Sequence, residues 1–153
     1  MSMSVLLVPL AIALCATASE TISDIVDKCK NNKGNNTLVQ TRINDYDILK
    51  KTLEEHGLSV ATQDRNHVNV YSQGGNLRYI RENEEATFLI DLDDVKNVNC
   101  LVNDLNELEN EYDRNVQSFT YNRIIKSLPE DMTIVEDEVL EDDSILLTIS
   151  VNN

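Results

Sequence analysis

The stretch that most constrains the fold is residues 119–151, FTYNRIIKSLPEDMTIVEDEVLEDDSILLTISV. Ile124, Ile125 and Leu128 carry a helical apolar pattern up to Pro129. Proline ends it, because its ring clashes with the preceding turn and it has no N–H to donate. Two runs follow, 132–140 and 144–151, separated by the acidic triplet Glu141-Asp142-Asp143. In the second run Ile145, Leu147, Ile149 and Val151 fall on one face and Leu146, Thr148 and Ser150 on the other. That is the period of two of a half-buried strand. A helix end, a proline stop and a β-hairpin therefore close the chain, and its fold must mix helices with antiparallel strands.

Upstream, residues 38–43 (LVQTRI) alternate as a strand, and Asn44 or Asp45 is placed to cap a helix by accepting backbone N–H groups. Ile48, Leu49, Thr52 and Leu53 make the apolar face of that helix, with Lys50, Lys51, Glu54 and Glu55 opposite. Gly57 supplies a left-handed stop and Leu58 the hydrophobic residue beyond it. Short alternating runs come next, at 58–64, at 68–71 through Val68 and Val70, at 77–81, and at 86–92 with Phe88, Ile90 and Leu92 on one face. Turns fall at Asp64-Arg65-Asn66, at Gly74-Gly75 and across 82–85, so the runs predict an antiparallel meander.

Leu101, Leu105, Leu108 and Tyr112 recur at spacings of four, three and four, a helical stripe with Glu107, Glu109, Glu111 and Asp113 assigned to solvent. The helix runs on, or breaks and restarts, through Val116, Phe119, Ile124, Ile125 and Leu128, and Tyr112, Phe119 and Tyr121 are read as core packing. The expected fold class is α+β: a mostly antiparallel sheet with helices packed on one face. It is expected as a single α+β domain over residues 38–153, preceded by an apolar N-terminal helix within residues 1–30.

Residues 5–18 (VLLVPLAIALCATA) carry no charge, and three readings stay open. Ala16-Thr17-Ala18 fits the small-x-small site of a cleaved export signal, although residues 1–4 lack Lys and Arg. As a membrane anchor the run falls short of the roughly 20 residues that span a bilayer. As a docked or buried helix it continues through Ile22, Ile25, Val26 and Cys29 at helical spacing. A polar connector with Gly34 ends it, and Asn35-Asn36-Thr37 is a glycosylation sequon for a eukaryotic secretory route. The expected location is the cytoplasm, with membrane association through Val5 to Ala18, or secretion, as the alternatives.

The charge balance narrows the partners. Twenty-seven Asp and Glu face 13 Lys and Arg, a net charge of −14. Such a field repels phosphate backbones, so no direct nucleic-acid binding is expected. It serves solubility first, and beyond that it attracts a basic protein or imitates nucleic-acid phosphates. Cys15, Cys29 and Cys100 are far apart, with no CxxC and no histidine at ligand spacing, so no zinc site is assigned. Cys29 and Cys100 are left to pair if the first segment is removed.

Asp91-Leu92-Asp93-Asp94 is a carboxylate cluster of the kind hard cations use, but it lacks the glycine and distal glutamate of a calcium loop. Asp93 or Asp94 is better read as the cap of the following helix. His56 precedes the Gly57 stop, where a cation suits the helix C-terminus, and His67 follows a turn. There is no G-x-S-x-G elbow and no glycine loop before a lysine, and with 27 acids some carboxylate pair is inevitable. No catalytic residue, cofactor-binding residue, metal ligand or cofactor is assigned, and a non-enzyme is expected.

Two segments share a pattern with known proteins. In TRINDYDILKKTLEEHGL, Asp45, Leu49, Leu53 and Gly57 fit the helix D-x-x-x-L-x-x-A-L-x-x-L-G, and Tyr121, Val135, Glu136, Glu138, Asp142, Ser144 and Ile145 fit the closing hairpin V-x-E-E-x-x-x-D-G-S-I. On these residues, about 38 to 151 resembles the hypothetical chloroplast open reading frame 35 family, small proteins of plastids, cyanobacteria and other bacteria. Asp143 stands where that family has glycine, and the middle strands lack its glycine and tryptophan positions. The resemblance implies a compact α+β domain with an accessory or regulatory role, and it carries over no catalytic residue.

Together these observations predict a non-enzymatic acidic binding or regulatory module that works through protein–protein contacts with a partner, basic in charge. Its candidate partner-binding residues are Glu141, Asp142 and Asp143 on the hairpin tip and Glu107 and Glu111 on the long helix. One alternative is an exported or membrane-anchored small protein using residues 5–18. Another is a nucleic-acid-mimicking inhibitor of a basic protein. A homo-oligomer built on the hairpin edge, residues 132–151, is a further expectation.

Overall fold

A computed structural model describes residues 1–7 and 37–152. In chain order these form β1 (Ser2–Leu7), β2 (Thr37–Gln40), α1 (Tyr46–Glu55), β3 (Ser59–Asp64), β4 (His67–Tyr71), β5 (Gly75–Ile80), β6 (Leu89–Val95), α2 (Val98–Ser127), β7 (Met132–Val139) and β8 (Ile145–Val151). Most of the expected N-terminal helix, with Cys15, Cys29 and the Asn35 sequon, lies outside the described residues. Val5, Leu6 and Leu7, read above as part of that apolar run, end strand β1 instead. There the edge of β8 offers them backbone partners, Val5 opposite Leu147 and Leu7 opposite Ile145. No helix among the described residues is long and apolar enough to cross a membrane.

The α+β class holds, with two antiparallel sheets where one was expected. The chain divides into two compact units, and α2 runs through both, contributing residues up to Tyr112 to the larger and from Asp113 to the smaller. The larger unit holds a five-stranded sheet in the order β2-β6-β5-β4-β3. This is the expected meander, with β2 added beside β6. Its inward rows run Val39, Ile90, Tyr79, Val68 and Leu92, Leu77, Val70 across the strands, and all seven are buried. Leu53 of α1 and Leu101 of α2 are fully buried as well, and burial of such a side chain stabilises by about 1.5–3 kcal/mol. The expected stripe of Leu101, Leu105, Leu108 and Tyr112 is buried throughout.

Helix α1 is bounded as its sequence requires. Asp45 caps its start, its carboxylate accepting the Ile48 N–H at 3.0 Å. At its end Gly57 takes φ +75°, and the Leu58 and Gly57 N–H groups donate to Leu53 O and Glu54 O at 3.2 and 3.0 Å. This double bond pattern needs the left-handed residue that glycine supplies without a Cβ clash. The Tyr112 hydroxyl accepts the N–H groups of Asn44 and Asp45 at 3.3 and 3.1 Å, tying the cap to α2 within the larger unit.

Arg81, at the end of β5, is 7% exposed and acts as a staple. Its guanidinium donates to Asn66 Oδ1 at 2.9 Å and to the carbonyls of Arg65, Asn44 and Glu84 at 3.1, 2.6 and 3.2 Å, while lying 4.5 Å from the centre of the Phe88 ring. One side chain thus fixes the β3–β4 turn, the entry to α1 and the 82–85 turn.

Three local expectations are corrected. The α2 cap is Asn97, whose side chain accepts the Cys100 N–H at 3.1 Å, and not Asp93 or Asp94, which lie within β6. The strand runs farther than its apolar alternation because its backbone pairs through Gly75 opposite Val95. Asp113, assigned to solvent, is buried. Phe119, assigned to the core, is 54% exposed, since α2 continues unbroken to Ser127 and its stripe drifts around the helix.

The smaller unit is a three-stranded sheet, β1-β8-β7, with the second half of α2. Leu147 and Ile149 of β8 are its buried centre, as the alternation requires. The Gln117 amide of α2 donates to Leu7 O at 3.2 Å and to Asp143 O at 2.7 Å, joining the helix to the end of β1 and to the hairpin tip.

Candidate partner-binding edge

Strand β7 is an edge of its sheet, paired on one side to β8. The register is Glu136 opposite Thr148, Asp137 opposite Leu147, Glu138 opposite Leu146 and Val139 opposite Ile145, with an irregularity between Ile134 and Glu136. Such a bulge bends an edge strand and resets which side chains share a face. From Val135 onward every β7 residue is exposed, Val135 at 59% and Val139 at 67%. The edge therefore presents backbone groups, two apolar side chains and three consecutive carboxylates. Asp137 is the one of the three that shares a face with the buried Leu147, and it accepts the Tyr121 hydroxyl at 3.0 Å. That bond holds the Tyr121 phenol above its ordinary pKa, because the proton is retained by the neighbouring carboxylate.

The tip beyond β7 is built as a tight hairpin loop. Asp143 N–H donates to Leu140 O at 3.0 Å, Leu140 N–H donates to Ser144 O at 2.8 Å, and Asp143 sits at φ +63°. A three-residue loop closed by one left-handed residue is a standard hairpin solution, and glycine is its usual occupant. Asp143 fills it because a short polar side chain tolerates that conformation better than most. Asp142 is also engaged: its carboxylate accepts the Ser144 N–H at 3.0 Å. The Ser144 hydroxyl and N–H together hold that carboxyl below the usual range. Of the three tip acids, Asp142 and Asp143 thus shape the turn, and Glu141 is exposed beside them.

Glu107 and Glu111 are brought together one turn apart on α2, in the larger unit, and both face His56. His56 Nδ1 lies 2.9 Å from Glu111 Oε2 and His56 Nε2 lies 3.7 Å from Glu107 Oε2. His56 is thereby explained by two carboxylates as well as by the end of α1. These two glutamates hold two helices in register, so they differ in role from the hairpin acids, which belong to the other unit. Arg42 reaches Glu109 at 3.5 Å in the same unit.

The acids of β7 itself, Glu136, Asp137 and Glu138, were not singled out as a site from sequence. The signal was there: eight carboxylates and no Lys, Arg or His follow Lys126. Among the described residues, no three His, Cys, Asp or Glu side chains cluster as a metal site would require. No family model, curated protein or solved structure matches this chain.

Proposed function

We propose that the protein is a non-enzymatic binding or regulatory module that takes an extended, basic segment of a partner protein along β7. The observation that carries this reading is the edge itself, an exposed strand paired only to β8 among the described residues, with acids at Glu136, Asp137 and Glu138. Strand addition draws affinity from main-chain hydrogen bonds and specificity from alternate side chains. Here Glu136 and Glu138 share the face turned away from Leu147, the spacing that lysines or arginines at alternate positions of an added strand would meet. Pairing of β7 with a second copy of itself sets acids against acids, which disfavours a homodimer through this edge and favours a basic partner.

The test is a ¹⁵N–¹H titration of the full chain with a soluble peptide of alternating Lys and Val. The expected result is saturable shifts of the Glu136–Val139 amides, lost in an E136K/E138K variant and absent with a Glu-Val peptide of equal length. Shifts that survive the charge reversal, or that fall elsewhere, would refute the edge as the site. A self-associating wild-type chain with β7 protected from hydrogen exchange would replace the proposed partner by a second copy. Glu141→Lys reads the tip separately, since it changes charge without touching the Asp142 and Asp143 turn contacts.

A further inference from the structure

The outer face of the five-stranded sheet holds a feature that the β7 reading does not use. Asp91 of β6, Arg78 of β5 and Asn69 of β4 are neighbours across the strands in one register row. Asp91 and Arg78 form an ion pair through Oδ2 and Nη2. The Asp91 side chain is 4% exposed, whereas that of Arg78 is 46% exposed. The second carboxylate oxygen, Asp91 Oδ1, is buried and accepts no hydrogen bond among the described residues. Both residues line an open hollow of about 220 Å³, together with Asn69, Asn76 and the half-exposed Tyr71.

A buried carboxylate oxygen without a donor is costly. We propose that this hollow is a seat for a planar cationic N–H donor, a guanidinium or amidinium group, which supplies the missing donor to Asp91 Oδ1. Three further features select that class. The net charge of −14 draws cations and repels phosphates and carboxylates, and the one cation present, Arg78, is already partnered by Asp91. The half-exposed Tyr71 lines the hollow, and a planar cation beside an aromatic ring gains from its electron-rich surface. Asn69 and Asn76 present carboxamide oxygens able to accept the N–H groups that Asp91 does not take. The volume suits a small head group on a short stem, below the range of sites that enclose a whole drug-sized ligand. Asp91 Oδ1 is closed to solvent, so the seat requires the half-exposed Arg78 side chain to move and Asp91 to be shared between two cations.

The same chemistry comes from two sources, a free guanidino compound or an arginine side chain of a protein. The test titrates the full chain with agmatine, with N-acetylarginine amide and with the neutral isostere butylurea, following amide shifts. Agmatine is expected to bind saturably, with shifts at Asn69, Tyr71, Asn76 and Arg78 that weaken about tenfold in Tyr71→Ala, a change at a half-exposed position. Butylurea is expected not to bind. Tighter binding of N-acetylarginine amide assigns the seat to a protein side chain, and tighter binding of agmatine to a free metabolite. Asp91→Asn is expected to abolish binding, and should that variant not fold, Tyr71→Ala and Asn69→Ala carry the test. No saturable shift up to about 10 mM agmatine overturns the proposal. So does butylurea binding as well as agmatine, or binding indifferent to Tyr71→Ala.

Discussion

Replacing Arg81 by methionine keeps most of the aliphatic stem and removes the guanidinium, so it isolates what the head group contributes. That head donates four hydrogen bonds, to Asn66 Oδ1 and to the carbonyls of Arg65, Asn44 and Glu84, in a residue only 7% exposed. Hydrogen bonds from a charged donor contribute about 1.5–3 kcal/mol each, but they are not additive, and water recovers part of the loss at carbonyls near the surface. Stacking on Phe88 adds about 0.5–1 kcal/mol. Against this stands the desolvation of the guanidinium, which the variant no longer bears. The expected net loss is about 3–4 kcal/mol, a large part of the 5–15 kcal/mol that small domains possess. Arg81→Lys keeps the charge without the fork, and it is expected to lose about 2 kcal/mol, because one ammonium cannot reach acceptors in three segments. Urea unfolding followed by far-ultraviolet circular dichroism reads both. A loss under about 1 kcal/mol for Arg81→Met, with an unchanged m-value, would show that the three segments are held by their own turns and refute the staple.

Three other outcomes are expected. Gly74→Ala places a Cβ 2.8 Å from the Leu101 backbone nitrogen and 3.0 Å from its Cα, so the start of α2 must shift. A loss of about 1–3 kcal/mol in urea unfolding is expected. Asp143→Gly relieves a left-handed residue at φ +63° and removes one charge, and the relief outweighs the added freedom of the unfolded chain. A gain of about 0.5 kcal/mol, seen as a small rise in urea midpoint, is expected. Asp142 and Asp64 have carboxyls held below their usual range, by the Ser144 hydroxyl and N–H and by the His67 ring and the Asn66 N–H. A depressed folded-state pKa gives stability that is present above the unfolded value near 3.9 and lost as pH falls through the folded one. Above about pH 4 Asp142→Asn and Asp64→Asn should therefore be less stable than wild type, and the difference should shrink as pH falls from there through the depressed folded-state pKa; a difference that does not shrink on acidification would contradict the assignment.

Local punctuation was legible because each signal has a single physical solution. Asp45, Gly57, Leu58 and Pro129 mark helix ends whose orphan backbone groups need those residues, and the structure uses the first three as read. The period of two named Val68, Val70, Phe88, Ile90 and Leu92 in the meander and Leu147 and Ile149 in β8, all buried, while Val60, Ile145 and Val151 on the same faces are half-buried. What escaped was information carried by partners distant in sequence. Asp93 and Asp94 look like caps until β5 is known to pair with β6 as far as Val95. Phe119 looks like core until α2 is known to be one unbroken helix of 30 residues. Arg81 gave no sequence signal, since three of its four acceptors are backbone carbonyls that any residue supplies. The Asp91–Arg78 pair was likewise hidden, because a register 13 residues apart cannot be read from either strand alone.

The distribution of charge sharpens the functional reading beyond net charge. The segment after Lys126 holds eight of the 27 carboxylates and none of the 13 Lys and Arg, whereas the larger unit pairs many of its acids internally. Arg65 with Asp47, Arg42 with Glu109 and Arg78 with Asp91 are examples of that pairing. Acids that are paired within the fold contribute little field at a distance, so the hairpin and its edge strand, with eight acids and no base, are a concentrated source of negative potential. Charge on an edge strand has two effects at once. It opposes pairing with an identical edge, and it makes the free backbone groups of that edge most accessible to a strand of opposite sign. An acidic surface serving solubility alone would be indifferent to whether its acids lay on an edge or on a covered strand. Here the acids of β7 lie on a strand paired only to β8 among the described residues and beside two exposed valines, a combination that supports the proposed strand addition more than solubility alone.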